Sequence, residues 1–146
     1  VAKTNSSLKI NLDNRTISYS KPHYDPRTGH QVILSNGRFV LSGGSDSFRE
    51  FNEVFYSDDG ITWTQDTSVN LPPLRRGHQM LDFKESSSTD SKLWIIGGDS
   101  RPDPQNTDPQ QPRNVLHDIW VHDNNTNEWT ENIRLTAPAP YHSTNP

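Results

Sequence analysis

Apolar and polar residues alternate in short bursts along this chain, and turn-forming residues separate the bursts. Leu8-Lys9-Ile10-Asn11-Leu12 alternates for five residues, and after Asp13-Asn14-Arg15-Thr16 the pattern resumes in Ile17-Ser18-Tyr19. Successive side chains leave a strand on opposite faces, so a period of two suits a half-buried strand. The bursts His30 to Ser35 and Arg38 to Ser42 are joined by Asn36-Gly37, which tolerates the positive φ of a type I′ turn, and together they predict a hairpin. A third strand is predicted over Glu53 to Tyr56. After the turn Ser57-Asp58-Asp59-Gly60, a fourth is predicted over Ile61 to Gln65. The same texture returns at Arg76 to Leu81, Lys92 to Ile96, Leu116 to Val121 and Glu128-Trp129-Thr130. No window sustains apolar residues at helical spacing, and no apolar run approaches the ~18 residues of a membrane helix. The expected class is all-β, with no membrane span.

The pattern also repeats. Arg27-Thr28-Gly29-His30-Gln31 matches Arg75-Arg76-Gly77-His78-Gln79, and Phe39-Val40-Leu41-Ser42-Gly43-Gly44 matches Trp94-Ile95-Ile96-Gly97-Gly98 at the glycine pair. Asn52-Glu53-Val54-Phe55-Tyr56 matches His117-Asp118-Ile119-Trp120-Val121, and Thr62-Trp63-Thr64 matches Glu128-Trp129-Thr130. The separation grows from 48 residues at the histidines to 54 at the glycines and 66 at the last tryptophans, as when loops absorb insertions and strands do not. The largest insertion, Asp99 to Asn114, carries Pro102, Pro104, Pro109 and Pro112, which keep it extended and non-helical.

Four short strands in a unit of roughly fifty residues, closed by a glycine pair and anchored by a tryptophan, resemble the kelch repeat. That repeat is the four-stranded blade of kelch proteins and of the galactose-oxidase central domain. The resemblance implies kelch-type β-propeller blades, each a four-stranded antiparallel sheet, in an incomplete propeller. Residues 27–65 make blade one and 75–131 blade two; residues 8–20 supply the outer strands of a preceding blade, and 137–146 start a following one. Gly43, Gly44, Gly97, Gly98, Trp63 and Trp129 are the structural motif positions. Ser57 to Trp63 further resembles the Asp-box turn of sialidases, one residue short of its usual form, a structural turn in those folds. An arc of blades leaves two bare ends, so the remainder of a propeller or a homo-oligomer is an expected partner.

Composition narrows the function classes. Of 146 residues 29% are hydrophobic and 22% charged, and 11 prolines with 8 glycines suit one modest domain of short elements. A net charge of -4 without a basic block argues against nucleic acid. The absence of cysteine removes disulfides, thiolate metal sites and cysteine nucleophiles, and with them a galactose-oxidase-type Tyr-Cys copper centre. The chain starts at Val1 without a signal segment, which fits a processed chain or a piece of a longer one. Asn5, Asn14 and Asn124 begin N-x-Ser/Thr sequons that permit a secreted or extracellular origin without establishing it.

Candidate chemistry is sparse. His117-Asp118 and His122-Asp123 bracket one strand, but a spacing of five puts the histidines on opposite faces, so no metal or other cofactor is assigned. No catalytic set can be assembled, and the chain reads as non-enzymatic. The resemblance places ligands at the strand-end loops. It nominates Arg27, Arg75 and Arg76 before the innermost strands, and Arg49, Arg101 and Arg113 in the loops after the glycine pairs. Guanidinium groups there suit carboxylates or acidic peptides. His30 and His78 are expected to line the channel or satisfy backbone. The reading is a non-enzymatic module binding a protein, peptide or glycan. Alternatives are a carbohydrate-acting propeller of the sialic-acid mutarotase or sialidase kind, and a structural fragment of a larger propeller.

Overall fold

Each alternating burst becomes a strand in the computed structural model of the chain, which describes residues 7–11, 16–20, 24–86, 88–101, 103, 108, 110 and 112–134. Strands β1 (Ser7–Asn11) and β2 (Thr16–Ser20) pair as an antiparallel hairpin. The first four-stranded sheet runs in chain order through β3 (Gln31–Ser35), β4 (Arg38–Ser42), β5 (Val54–Ser57) and β6 (Thr64–Gln65). The second follows the same order through β7 (Gln79–Phe83), β8 (Lys92–Ile96), β11 (Asp118–Asp123) and β12 (Glu128–Arg134). All pairings are antiparallel, and there is no helix among the described residues. The chain is all-β, in four-stranded antiparallel sheets. Residues 137–146, expected to start a further blade, lie outside the described residues.

Turn chemistry fixes the registers. Asn36 and Gly37 take φ of 49° and 76°, the left-handed pair a type I′ turn demands, and Ser35 therefore faces Arg38 across the hairpin. The fourth strand starts at Thr64 rather than Ile61, because the preceding turn is longer than its sequence suggested. Asp59 Oδ1 accepts the backbone N–H groups of Ile61 (2.8 Å) and Thr62 (2.7 Å), and Ser57 Oγ accepts that of Gly60 (2.9 Å). The bonds to Asp59, led by the Thr62 N–H and then that of Ile61, favour its ionised form and hold the carboxyl down at about 2. Trp63 is buried behind the turn and donates Nε1–H to the Gly60 carbonyl at 3.2 Å.

One small sheet has no precedent in the sequence pattern. The insertion after the second glycine pair is zipped at its base by β9 (Asp99–Ser100) and β10 (Asn114–Val115). It elaborates a contact already present in the first sheet, where a single bridge joins Ser45 to Glu50. Leu116 N–H bonds the Gly98 carbonyl as Phe51 N–H bonds that of Gly44, both at 2.9 Å. Leu116 thus closes the loop, and β11 begins two residues later than the apolar run implied.

The core lies between the two sheets. Val40 and Val54 from the first meet Met80, Leu93, Ile95 and Trp129 from the second, with Ile33 and Tyr56 packed alongside. The period of two selects Val40 for this seam and turns Phe39 and Leu41 the other way. On that other face Leu41, Phe55 and Trp63 form a second cluster, against which Tyr24 packs edge-on to Trp63 at 5.4 Å. Burial of each such side chain contributes about 1.5–3 kcal/mol. The inner strands β3 and β7 lie side by side along the seam. At one end of the seam the Asp66 carboxylate accepts Tyr56 O–H (3.1 Å) and Trp129 Nε1–H (3.3 Å), one donor from each sheet. The outward faces carry exposed apolar side chains, Val32, Leu34 and Phe39 on the first sheet and Phe83 and Ile96 on the second.

Candidate functional site

At the ends of β4 and β8 the backbone turns through two residues of positive φ, with nearly the same φ values in both turns. Gly43 and Gly44 have φ of 60° and 95°, and Gly97 and Gly98 have 60° and 98°. A Cβ on Gly43 would stand 2.6 Å from the Arg75 carbonyl oxygen, and one on Gly98 would stand 2.7 Å from that of Arg76. Only glycine permits this approach. It sets Gly43 and Gly97 where each carbonyl meets a buried arginine.

The two arginines occupy equivalent places in the repeat. Arg27 donates from Nη1 to the Gly43 carbonyl (3.0 Å), from Nη2 to Glu53 (2.7 Å) and from Nε to the Asp25 carbonyl (3.1 Å). Its guanidinium lies 3.9 Å from the Phe51 ring centroid. Arg75 repeats the arrangement with Gly97 (2.9 Å), Pro73 (3.1 Å) and a bidentate pair to Asp118 at 2.8 and 2.7 Å. Burial works against ionised Asp118. The hydrogen bonds and charge of Arg75, with Trp120 Nε1–H, outweigh it and hold that carboxyl below its usual range. Three nitrogens of each arginine are engaged within the chain, so each clasps a glycine turn to the start of the third strand of its own sheet, Glu53 just before β5 and Asp118 at the head of β11.

The other four nominated arginines lie above, among the loops. Arg76 reaches Asp99 at 3.3 Å, and Arg113 bridges Asp99 and Glu50. Burial opposes the charge of Arg113, but these two carboxylates prevail and raise its pKa. Glu50, itself buried, also accepts the Arg101 backbone N–H at 2.8 Å, and Arg101 Nη1 reaches the Phe48 carbonyl at 3.3 Å. The proline-rich insertion is thereby fastened to the first sheet's loop. Arg49 pairs with Asp25 and Asp46, away from this knot. Phe48, next to Arg49 in the chain, is 71% exposed. Glu50, Asp99 and Phe48 escaped sequence reasoning. The available signal was their position directly in the loops after the glycine pairs, where the arginines had already been singled out.

His78 is fully buried behind Gly43, and its Nε2 lies 2.7 Å from Ser42 Oγ. Burial, then the nearby charges of Arg75 and His30, push its pKa down to about 4. A serine beside a neutral histidine suggests a nucleophile and its base. Here both are sealed in the interior, and His78 Nδ1 has no hydrogen-bond partner among the described residues, so no third group orients the ring. His30 is also held below its usual pKa, by burial and then by Arg27. His122 packs on Trp129 at 5.0 Å between ring centroids while Asp118 is taken by Arg75, and no cluster of three metal-binding side chains exists among the described residues.

Comparison with known proteins follows the same outline. The sequence profile of the DUF6242 beta propeller domain matches residues 10–120. Tip elongation aberrant protein 3 of Schizosaccharomyces pombe is 32% identical over 110 residues, covering 66% of this chain and 9% of that protein. The dynein alpha chain of the flagellar outer arm of Chlamydomonas reinhardtii is 27% identical over 124 residues, covering 79% of this chain and 2% of its own length. The chain thus spans a small part of both relatives. The solved structure of YjhT superposes with a TM-score of 0.65 at 16% identity, over 90% of this chain and 38% of that one, a likeness of fold alone.

Proposed function

The chain belongs to the DUF6242 β-propeller domain family, and on that premise we propose that it is a non-enzymatic, kelch-type module that binds a protein or peptide through the loops after its glycine pairs. The kelch assignment draws on the ordered recurrence of Arg-x-Gly-His-Gln, the glycine pair, the acidic-aromatic strand and the tryptophan. In this reading β1 and β2 belong to a preceding blade. The exposed apolar faces at Leu34 and Phe39, and at Phe83 and Ile96, take further sheets of a ring or of a second copy. Similarity to small parts of two much longer proteins suits a unit reused for recognition.

The observation that carries the proposal is the rim around Phe48. An aromatic side chain that is 71% exposed stands beside Arg49 and Arg101, while Arg113, Glu50 and Asp99 brace the loops beneath. Aromatic and arginine side chains are enriched at binding hot spots, and Phe48 with Arg101 matches a partner presenting an apolar residue next to a carboxylate. Arg27 and Arg75 enter as supports of the rim, since their guanidinium groups are engaged below it. Selection from a displayed random-peptide library tests the reading. Enriched peptides should carry an apolar residue beside Asp or Glu and lose about tenfold in affinity with Phe48→Ala or Arg101→Ala. Failure to enrich any peptide, or enrichment indifferent to both changes, overturns it; product formation from a saccharide panel overturns its non-enzymatic part.

A further inference from the structure

At the strand ends opposite the glycine pairs, the seam opens into a cleft of about 440 Å³ between the two sheets. Ser35, Asn36 and Arg38 of the first hairpin form one wall, and His122, Asn124 and Asn127 of the β11–β12 hairpin form the other. The volume lies within the range of small-molecule sites. A polar bridge fixes the two hairpin tips: Ser91 Oγ donates to Asn36 Oδ1 (3.3 Å), and Asn124 Nδ2 donates to the Ser91 carbonyl (3.1 Å). The two walls are therefore linked through Ser91 by hydrogen bonds that are already made.

Its charges are answered locally. Arg38 pairs with Asp58 at 2.8 Å and lies over the Tyr56 ring, 5.1 Å from its centroid. Asp66, 8% exposed in the wall, accepts Tyr56 O–H, Trp129 Nε1–H and the Ser68 N–H. What remains around the opening is uncharged: the hydroxyls of Thr64 and Thr67 and the side-chain amides of Gln65 and Asn127. These groups both donate and accept. His122 adds a polar atom in need of a partner. It is 3% exposed, its Nδ1 is held by Asn124 Oδ1 at 3.1 Å, and its Nε2 has no hydrogen-bond partner among the described residues. A buried polar atom left so is destabilising unless a ligand or solvent meets it.

We propose that this inter-sheet cleft is a binding site for a small neutral saccharide. Arg38 is already paired with Asp58 and the Asp66 oxygens are already bonded, which leaves little for a charged ligand, whereas a neutral molecule with several hydroxyls matches the mixed donors and acceptors around the opening. The site lies at the far end of the strands from the Phe48 rim, and neither depends on the other. A two-dimensional NMR titration of the ¹⁵N-labelled 146-residue chain tests it, with glucose, galactose, N-acetylglucosamine and maltose as neutral probes and inorganic phosphate and spermidine as charged ones. At least one neutral sugar should give saturable shifts of the Trp129 indole N–H and the Asn124 side-chain amide, with a Kd of about 1–10 mM. Gln65→Ala and Asn127→Gly, the latter suited to a φ of 57°, should each weaken it by about fivefold while leaving the melting temperature in place. No saturable shift up to about 50 mM sugar overturns the proposal. So do shifts untouched by either variant, shifts confined to the Phe48 rim, or a response to phosphate or spermidine alone.

Discussion

Asp118→Ala should unfold this protein far more readily than the loss of any rim charge. The substitution strands the Arg75 guanidinium, whose side chain is 2% exposed, without the carboxylate that accepts its two shortest hydrogen bonds. Breaking a buried pair from one side costs about 3–5 kcal/mol, because the remaining charge is neither hydrated nor paired. Unfolding entropy is about 2.1 cal/mol/K per residue, or about 0.3 kcal/mol/K for 146 residues, so the melting temperature should fall by about 10–16 °C. Arg76→Ala provides the contrast. That side chain is 38% exposed and its pair with Asp99 is long, so its loss should cost less than about 1 kcal/mol, or about 3 °C. Circular-dichroism melts, backed by urea titration, measure both. Replacing the pair together, Arg75→Met with Asp118→Leu, should recover most of the loss, since no charge is then left buried. A drop below about 3 °C for Asp118→Ala, or a double variant no better than the single one, would refute the clasp as described.

Three further outcomes follow from the same geometry. His78 titrates near 4 when folded and at the ordinary 6.5 when unfolded, so the unfolded state binds its proton first as pH falls. Stability should be unaffected by this group above pH 6.5 and decline by about 3 kcal/mol between 6.5 and 4; His78→Gln should flatten that part of a urea-stability profile against pH, and an unchanged slope would contradict the assignment. Gly98→Ala, with φ of 98° and its Cβ 2.7 Å from a carbonyl oxygen, should cost about 3 kcal/mol or more, whereas Gly77→Ala, with φ of 63° and open space around it, should cost about 1 kcal/mol. Equal losses would remove the argument from close approach. Light scattering should report a mass above 16.6 kDa for the isolated chain, reduced by Leu34→Lys or Phe83→Lys; a monomer at all concentrations would show that the exposed faces need no cover.

Strand positions were largely legible in the sequence, because Val40 against Leu41, or Ile95 against Trp94, differ only in the face that a period of two assigns them. The Asn36-Gly37 turn was legible for the same local reason, since φ preference belongs to the residues themselves. What could not be read was which long side chain reaches which partner. Arg27, Arg75, Arg76 and Arg113 have the same chemistry on paper. A single residue of offset separates Arg75, sealed against Asp118, from Arg76, half-exposed beside Asp99. That distinction depends on the glycine turn bringing a carbonyl down onto one of them, a contact spanning 22 residues. The extended turn after Ser57 was hidden differently. Asp59 satisfies two backbone N–H groups that would otherwise have begun the last strand, and side-chain capping of this kind competes with strand pairing unseen by periodicity.

The two arginine clasps also bear on how freely the loops above them can grow. The first joins residues 26 apart in sequence and the second joins residues 43 apart, the difference being mostly the proline-rich insertion. The entropy lost on closing a flexible loop rises only with the logarithm of its length, so the longer ring is harder to close by about 0.4 kcal/mol. One exposed side-chain contact offsets that amount. Mutational drift can therefore lengthen the segment between the glycine turn and the third strand at almost no entropic disadvantage, provided that the clasp and the pairing of Arg113 with buried Glu50 are kept. Sequence novelty should collect in that window away from these contacts, and insertions placed there should still leave a folded chain.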